Sequence, residues 1–79
     1  MKVLFWMLTG ARDPTRASVP LHVAANGSLE VGDEPIVVLA GDGTEYLVGE
    51  NLDAAQGVGV PPLRELFTKL REHAVPVYV

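Results

Sequence analysis

Three short apolar segments, separated by stretches with helical character, constrain the fold of this chain most strongly. They lie at residues 2–9, 35–40 and 75–79, and the first is almost continuously apolar. Such strands are typical of a parallel sheet that is covered on both faces, rather than of a sheet with one face in water. Strand, helix, strand, helix, strand is the order of a parallel sheet with helical crossovers. The sequence therefore predicts a βαβαβ chain.

The first helix is predicted at residues 14–31. Asp13 is placed to accept hydrogen bonds from the free N–H groups of the first turn, and Pro14 suits the first helical position. Pro20 removes one backbone hydrogen bond and residues 26–27 weaken the last turns, so we expect a kink or an early end. The apolar side chains at helical spacing, which should pack on the sheet, are Ala17, Leu21, Ala24, Ala25 and Leu29.

The second half of the chain contains a clearer helix. The Gly-rich residues 41–60 predict a short helix at 44–50 followed by a loop, and the two prolines at 61–62 open an amphipathic helix. Glu65 and Lys69 stand one turn apart on it and should form a supporting ion pair. Its apolar stripe comprises Leu63, Leu66, Phe67 and Leu70.

The length of 79 residues allows one domain, residues 1–79, with a small core. We expect an α/β fold with a small parallel sheet of about three strands. If both crossovers pack on one face, the other face and both edges stay uncovered. Either more chain follows Val79, or oligomerisation completes the fold. There is no cysteine, so no disulfide supports this core.

Charge and hydropathy exclude several classes of function. The net charge is −4 and the six Lys and Arg residues are spread thinly, so we expect no nucleic-acid partner. The apolar run at residues 3–8 is shorter than a signal-peptide core and far shorter than a membrane span. We therefore expect a cytoplasmic protein with no membrane partner.

A weak candidate for ligand binding lies after the first two strands, because ligands of parallel sheets bind beyond the carboxyl ends of the strands. Thr9, Gly10 and Arg12 precede the first helix, whose positive dipole end favours an anion. Asp42 and Gly43 follow the second strand. The alternatives are that residues 9–12 are only a turn with a solvated arginine and that Asp42 caps the next helix. We consider these alternatives the better interpretations of both segments.

Catalytic and metal chemistry find little support in the sequence. The chain has no cysteine and no Gly-x-Ser-x-Gly elbow, and we assign no catalytic residue and no cofactor. His22 and His73 lack metal-ligand spacing to any partner, so we expect no metal site. The aromatic side chains of Phe5, Trp6 and Phe67 are interpreted as core.

Five segments in order carry a resemblance to a known family: residues 8–10, 13–17, 38–42, 57–63 and 75–79. The most specific are Leu-Ala-Gly-Asp at 39–42 and Gly-Val-Pro-Pro-Leu at 59–63. This ordered set spans essentially the whole chain and resembles the N-terminal portion of DsrE/DsrF-like sulfur-relay proteins.

The resemblance implies a three-layer α/β/α fold, assembly into homo-oligomers or hetero-oligomers and, in the relay members, persulfide transfer through a cysteine near the end of the third strand. That cysteine would fall just beyond Val79, and this chain lacks it. The leading hypothesis is therefore a non-catalytic oligomeric binding or assembly module. The alternatives are a sulfur-transfer subunit whose thiol is missing from these residues or supplied by a sulfur-relay partner, and a small-molecule or anion-binding domain.

Overall fold

Three parallel strands form one small sheet in the computed structural model, which describes residues 1–79. β1 spans Lys2–Met7, β2 spans Glu34–Leu39 and β3 spans Val77–Tyr78, in the order β1-β2-β3. β1 and β2 pair along six residues each, whereas β3 joins β2 through two residues only. The α/β class, the small parallel sheet and the βαβαβ order are confirmed.

The first helix, α1, spans Pro14–Val23 and ends early, as Pro20 and the following Asn-Gly pair predict. The Asp13 carboxylate accepts a hydrogen bond from the Arg16 backbone N–H at 3.0 Å and caps the first turn. Ala24–Ser28 then forms a π-helical turn, in which backbone hydrogen bonds reach back five residues. The helix that was predicted to residue 31 is thus two helical segments of different pitch.

The connection after β2 is more helical than predicted. A 3-10 helix spans Gly41–Leu47, three residues ahead of the expected start, and the short α2 spans Asn51–Ala54 where a loop was expected. α3 spans Leu63–Glu72 and buries Leu63, Leu66 and Leu70 of its predicted stripe, with Phe67 partly buried.

The predicted ion pair between Glu65 and Lys69 is wrong. The Lys69 ammonium instead donates to the Glu30 carboxylate and, at 2.8 Å, to the Asn26 side-chain oxygen. The reason is the contact of α3 with the π-helical turn, which brings residues of the first crossover within reach of Lys69. The hydrogen bond and the charge of Lys69 lower the pKa of Glu30.

The core lies between the sheet and one layer of helices. α1, the π-helical turn and α3 pack on one another and on the side of the sheet that carries Met7, Val37 and Leu39. The predicted sheet-facing side chains of the first helix are all buried or partly buried: Ala17, Leu21, Ala24, Ala25 and Leu29.

The opposite face of the sheet carries no helix of this chain. Because the strand order follows the chain order, two crossovers of the same hand place both helices on one face. The strands were expected to be buried on both faces, but alternate residues of β1 are exposed, with Leu4 at 50% and Trp6 at 55%. The chain therefore forms the sheet and one helical layer, and residues of this chain do not form the second helical layer of the predicted α/β/α arrangement.

Candidate functional site

The two segments predicted to form a ligand site do come together at the carboxyl end of the sheet. The Tyr46 hydroxyl donates to the Gly10 carbonyl oxygen at 2.8 Å, and the Ala11 backbone N–H donates to the Glu45 carboxylate at 2.9 Å. Tyr46 is buried, and this burial, reinforced by the charges of Glu45 and Asp13, raises its pKa. The 3-10 helix is thus bound directly to the turn after β1.

Two of the predicted site residues, Gly10 and Gly43, lie where the chain packs tightly on itself. A Cβ atom at Gly10 would overlap the Glu45 carboxylate and lie 2.7 Å from the Asp42 carbonyl oxygen. A Cβ atom at Gly43 would overlap the Met7 carbonyl group. Both glycines therefore permit close contact between the 3-10 helix and the end of β1. This contact fills the space beside the two glycines.

The other three predicted site residues surround this contact. Thr9 is half-buried, whereas Arg12 and Asp42 are exposed, and neither of these two side chains makes a hydrogen bond or ion pair within the chain. The interpretation of Asp42 as a helix cap is wrong, because the helix begins at Gly41 and Asp42 already lies in its first turn. A carboxylate in the first turn still interacts favourably with the positive end of the helix dipole. A ligand-binding role for these residues stays a prediction.

The histidines occupy ordinary helical positions. His22 hydrogen-bonds the Asn26 side chain at 3.0 Å on the first crossover, and His73, at the end of α3, lies 2.9 Å from the Lys69 carbonyl oxygen. No three His, Cys, Asp or Glu side chains come together as a group that would hold a metal ion.

The most distinctive surface is the uncovered face of the sheet, here called the outer face and defined by Leu4, Trp6, Ile36, Val38 and Tyr78. The strand register places Trp6 beside Val38 and Val38 beside Tyr78, so an indole, an isopropyl group and a phenol form one row across all three strands. Leu4 and Ile36 form the next row. Trp6 is 55% exposed and Tyr78 is 59% exposed.

A charged row borders this apolar surface at the start of the strands. Lys2 and Glu34 are register partners on the same face and both are exposed. Neither side chain makes an ion pair within the chain. The outer face therefore combines an apolar centre, rich in aromatic area, with one unpaired positive and one unpaired negative charge at its rim.

The sequence interpretation of the aromatic residues was correct for Phe5 and Phe67, which pack against the core, and wrong for Trp6. The alternation of side chains along β1 would have predicted the exposure of Trp6. Even-numbered residues of β1 point away from the helices when both crossovers share one face. Applying that rule to the first strand assigns Leu4 and Trp6 to the uncovered side.

The close contact at Gly43 yields a stability prediction. Gly43→Ala should lower the free energy of unfolding by about 2 kcal/mol or more, because the new methyl group meets the rigid backbone of Met7. Gly27→Ala is the matched control, since its Cβ meets only a Val23 methyl group at 3.7 Å. Urea unfolding followed by circular dichroism measures both, and equal stability of the two variants would contradict the close packing.

The comparisons with known proteins leave the chain without relatives that would assign a function. No family model, no curated protein and no solved structure matches it. None of its helices has the length and apolar character needed to cross a membrane. The resemblance to DsrE-like proteins therefore stays a prediction from the sequence.

Proposed function

We propose that this chain is a non-catalytic, DsrE-like assembly module of the cytoplasm that forms a homodimer by burying its outer face against a second copy. The observation that carries the proposal is the exposed row of Trp6, Val38 and Tyr78 across the sheet. Contiguous apolar surface rimmed by charge marks an interaction site on a protein of this size. Trp and Tyr are also the residues that contribute most binding energy at interfaces.

The dimensions of the outer face favour a modest affinity. Six-residue strands are about 20 Å long and three strands span about 10 to 15 Å, so each face measures about 200 to 300 Å² and two such faces bury roughly 400 to 600 Å² in total. This is below the size of a standard protein interface and is typical of weak contacts. We therefore expect a dimer that dissociates when it is diluted through roughly the micromolar range.

A second copy fits the outer face because the face is self-complementary. A two-fold axis that runs along the strands, between β1 and β2, superposes each β1 on the other copy's β2 and leaves β3 of each copy at the edge of the interface. It brings Lys2 of each copy over Glu34 of the other, and Trp6 over Val38. Both charges gain an opposite partner, as an isologous interface requires, and the strands of the two sheets run in nearly the same direction, as in aligned sheet packing.

Sulfur transfer is not needed for this role. These 79 residues contain no cysteine, so the persulfide chemistry of relay proteins would require a thiol from outside them. A dimer formed through the outer face leaves the exposed side chains of Arg12 and Asp42 accessible to a thiol-bearing partner.

Trp6, on the edge strand β1, is the largest apolar side chain of the outer face. Trp6→Glu should convert the dimer to a monomer, because it removes the largest apolar side chain and places a desolvated charge in the interface. Light scattering coupled to gel filtration measures the mass, and circular dichroism checks that the variant is folded. Val58→Glu is the control, since Val58 is 84% exposed and lies away from the outer face. A wild-type monomer at all concentrations, or equal dissociation by both variants, would refute the proposal.

Lys2 and Glu34, at the rim of the outer face, allow a charge-reversal test of the two-fold arrangement. Lys2→Glu and Glu34→Lys should each weaken the dimer by about threefold to tenfold, since each puts like charges opposite one another. The double variant restores opposite pairs and should regain most of the wild-type affinity. Sedimentation measurements at low and high salt are the test, and the differences should shrink in high salt. If the double variant is as weak as the single ones, this two-fold arrangement is wrong although the dimer stands.

A further inference from the structure

A groove of about 740 Å³ lies on the helix-covered side of the sheet, between α3, β3 and the segment that contains the 3-10 helix and α2. Val77 at its border is the register partner of the buried Val37, whereas the next residue, Tyr78, points to the outer face. The groove therefore lies on the opposite side of the sheet from the proposed dimer interface. Its volume is within the range of small-molecule sites.

Apolar side chains form most of the groove. Leu52, Phe67 and Val75 pack against the hydrophobic core while they also line the groove. Leu47 and Val77 also line the groove and stay 59% and 41% exposed. Covering these side chains with an apolar ligand would remove their surface from water without any rearrangement of the core.

The only charged side chains that line the groove are two arginines of α3, Arg64 and Arg71. They are seven residues apart, so they lie on the same side of the helix at a distance of about 10 Å along its axis. Arg64 is 3.8 Å from the Asp53 carboxylate, which lies outside the groove, and Arg71 makes no ion pair. In a chain with a net charge of −4, this groove presents uncompensated positive charge beside apolar surface.

We propose that the groove binds a small amphipathic carboxylate, such as a medium-chain fatty acid. The free guanidinium of Arg71 is suited to a bidentate hydrogen bond with a carboxylate, and it is weakly hydrated, so an apolar surrounding is tolerated. The aliphatic body lies along Phe67 and Leu52 toward Leu47. This binding site goes beyond the proposed assembly role and does not depend on the dimer.

Titration with sodium decanoate, at concentrations below those at which it forms micelles, tests the proposal by calorimetry. We expect one saturable site per chain and about tenfold weaker binding by Arg71→Gln, which loses a charge-assisted hydrogen bond. Arg16→Gln is the matched control, because Arg16 is an exposed arginine of α1 outside the groove, and it should bind as the wild type does.

Two further measurements separate specific recognition from adsorption of a detergent. Asp53→Asn should tighten binding about twofold to threefold, since it releases Arg64 from its neighbouring carboxylate. Decylamine, which has the same aliphatic body and the opposite charge, should bind at least tenfold more weakly than decanoate. Binding that does not saturate at one site, equal binding of decanoate and decylamine, or wild-type affinity of Arg71→Gln would each overturn the proposal.

Discussion

The position of both crossover helices on one face of the sheet is the constraint on which the rest of this structure depends. It follows from a strand order that is the same as the chain order. Leu21, Leu66 and Leu70 can then meet Met7 and Leu39 in one core, and a chain of 79 residues has no further helix for the other side. The exposed row of Trp6, Val38 and Tyr78 is the direct result. The strands have the composition of buried strands although the chain covers only one of their faces.

The carboxyl end of the sheet is closed by the protein itself. Tyr46 and Glu45 hold the turn after β1, and two glycines allow the 3-10 helix to approach the strand backbone. This packing explains why glycines stand at the positions where a sequence pattern also suggests a ligand. A glycine lets either a ligand or a neighbouring segment of the chain approach the backbone closely. Only the tertiary structure shows which of these two occupies the space.

Much of the fold was predictable from the sequence because local patterns determine it. The cap at Asp13, the early end of α1 and the stripe of α3 follow from residue types and spacing within single elements. The errors concern contacts between elements. Lys69 has a good partner one turn away in Glu65, yet it binds Glu30 because α3 packs beside the first crossover. Trp6 has the composition of a core residue, and its exposure depends on where the second crossover lies. The groove beside Arg71 arises where residues 46–52 pack near α3 and the residues that follow α3 to Val77.

Trp6 is the only tryptophan of the chain and lies on the edge strand β1 of the outer face, so its fluorescence reports directly on whether that part of the face is covered. Emission spectra of the wild-type chain, recorded as its concentration is raised through roughly the micromolar range, are the decisive measurement. Burial by a second copy predicts that the emission moves to shorter wavelength in step with dimer formation. An emission maximum that stays at the wavelength of a water-exposed indole while the mass doubles would show that a different surface forms the dimer. The same spectrum with no change in mass would show that the outer face stays uncovered.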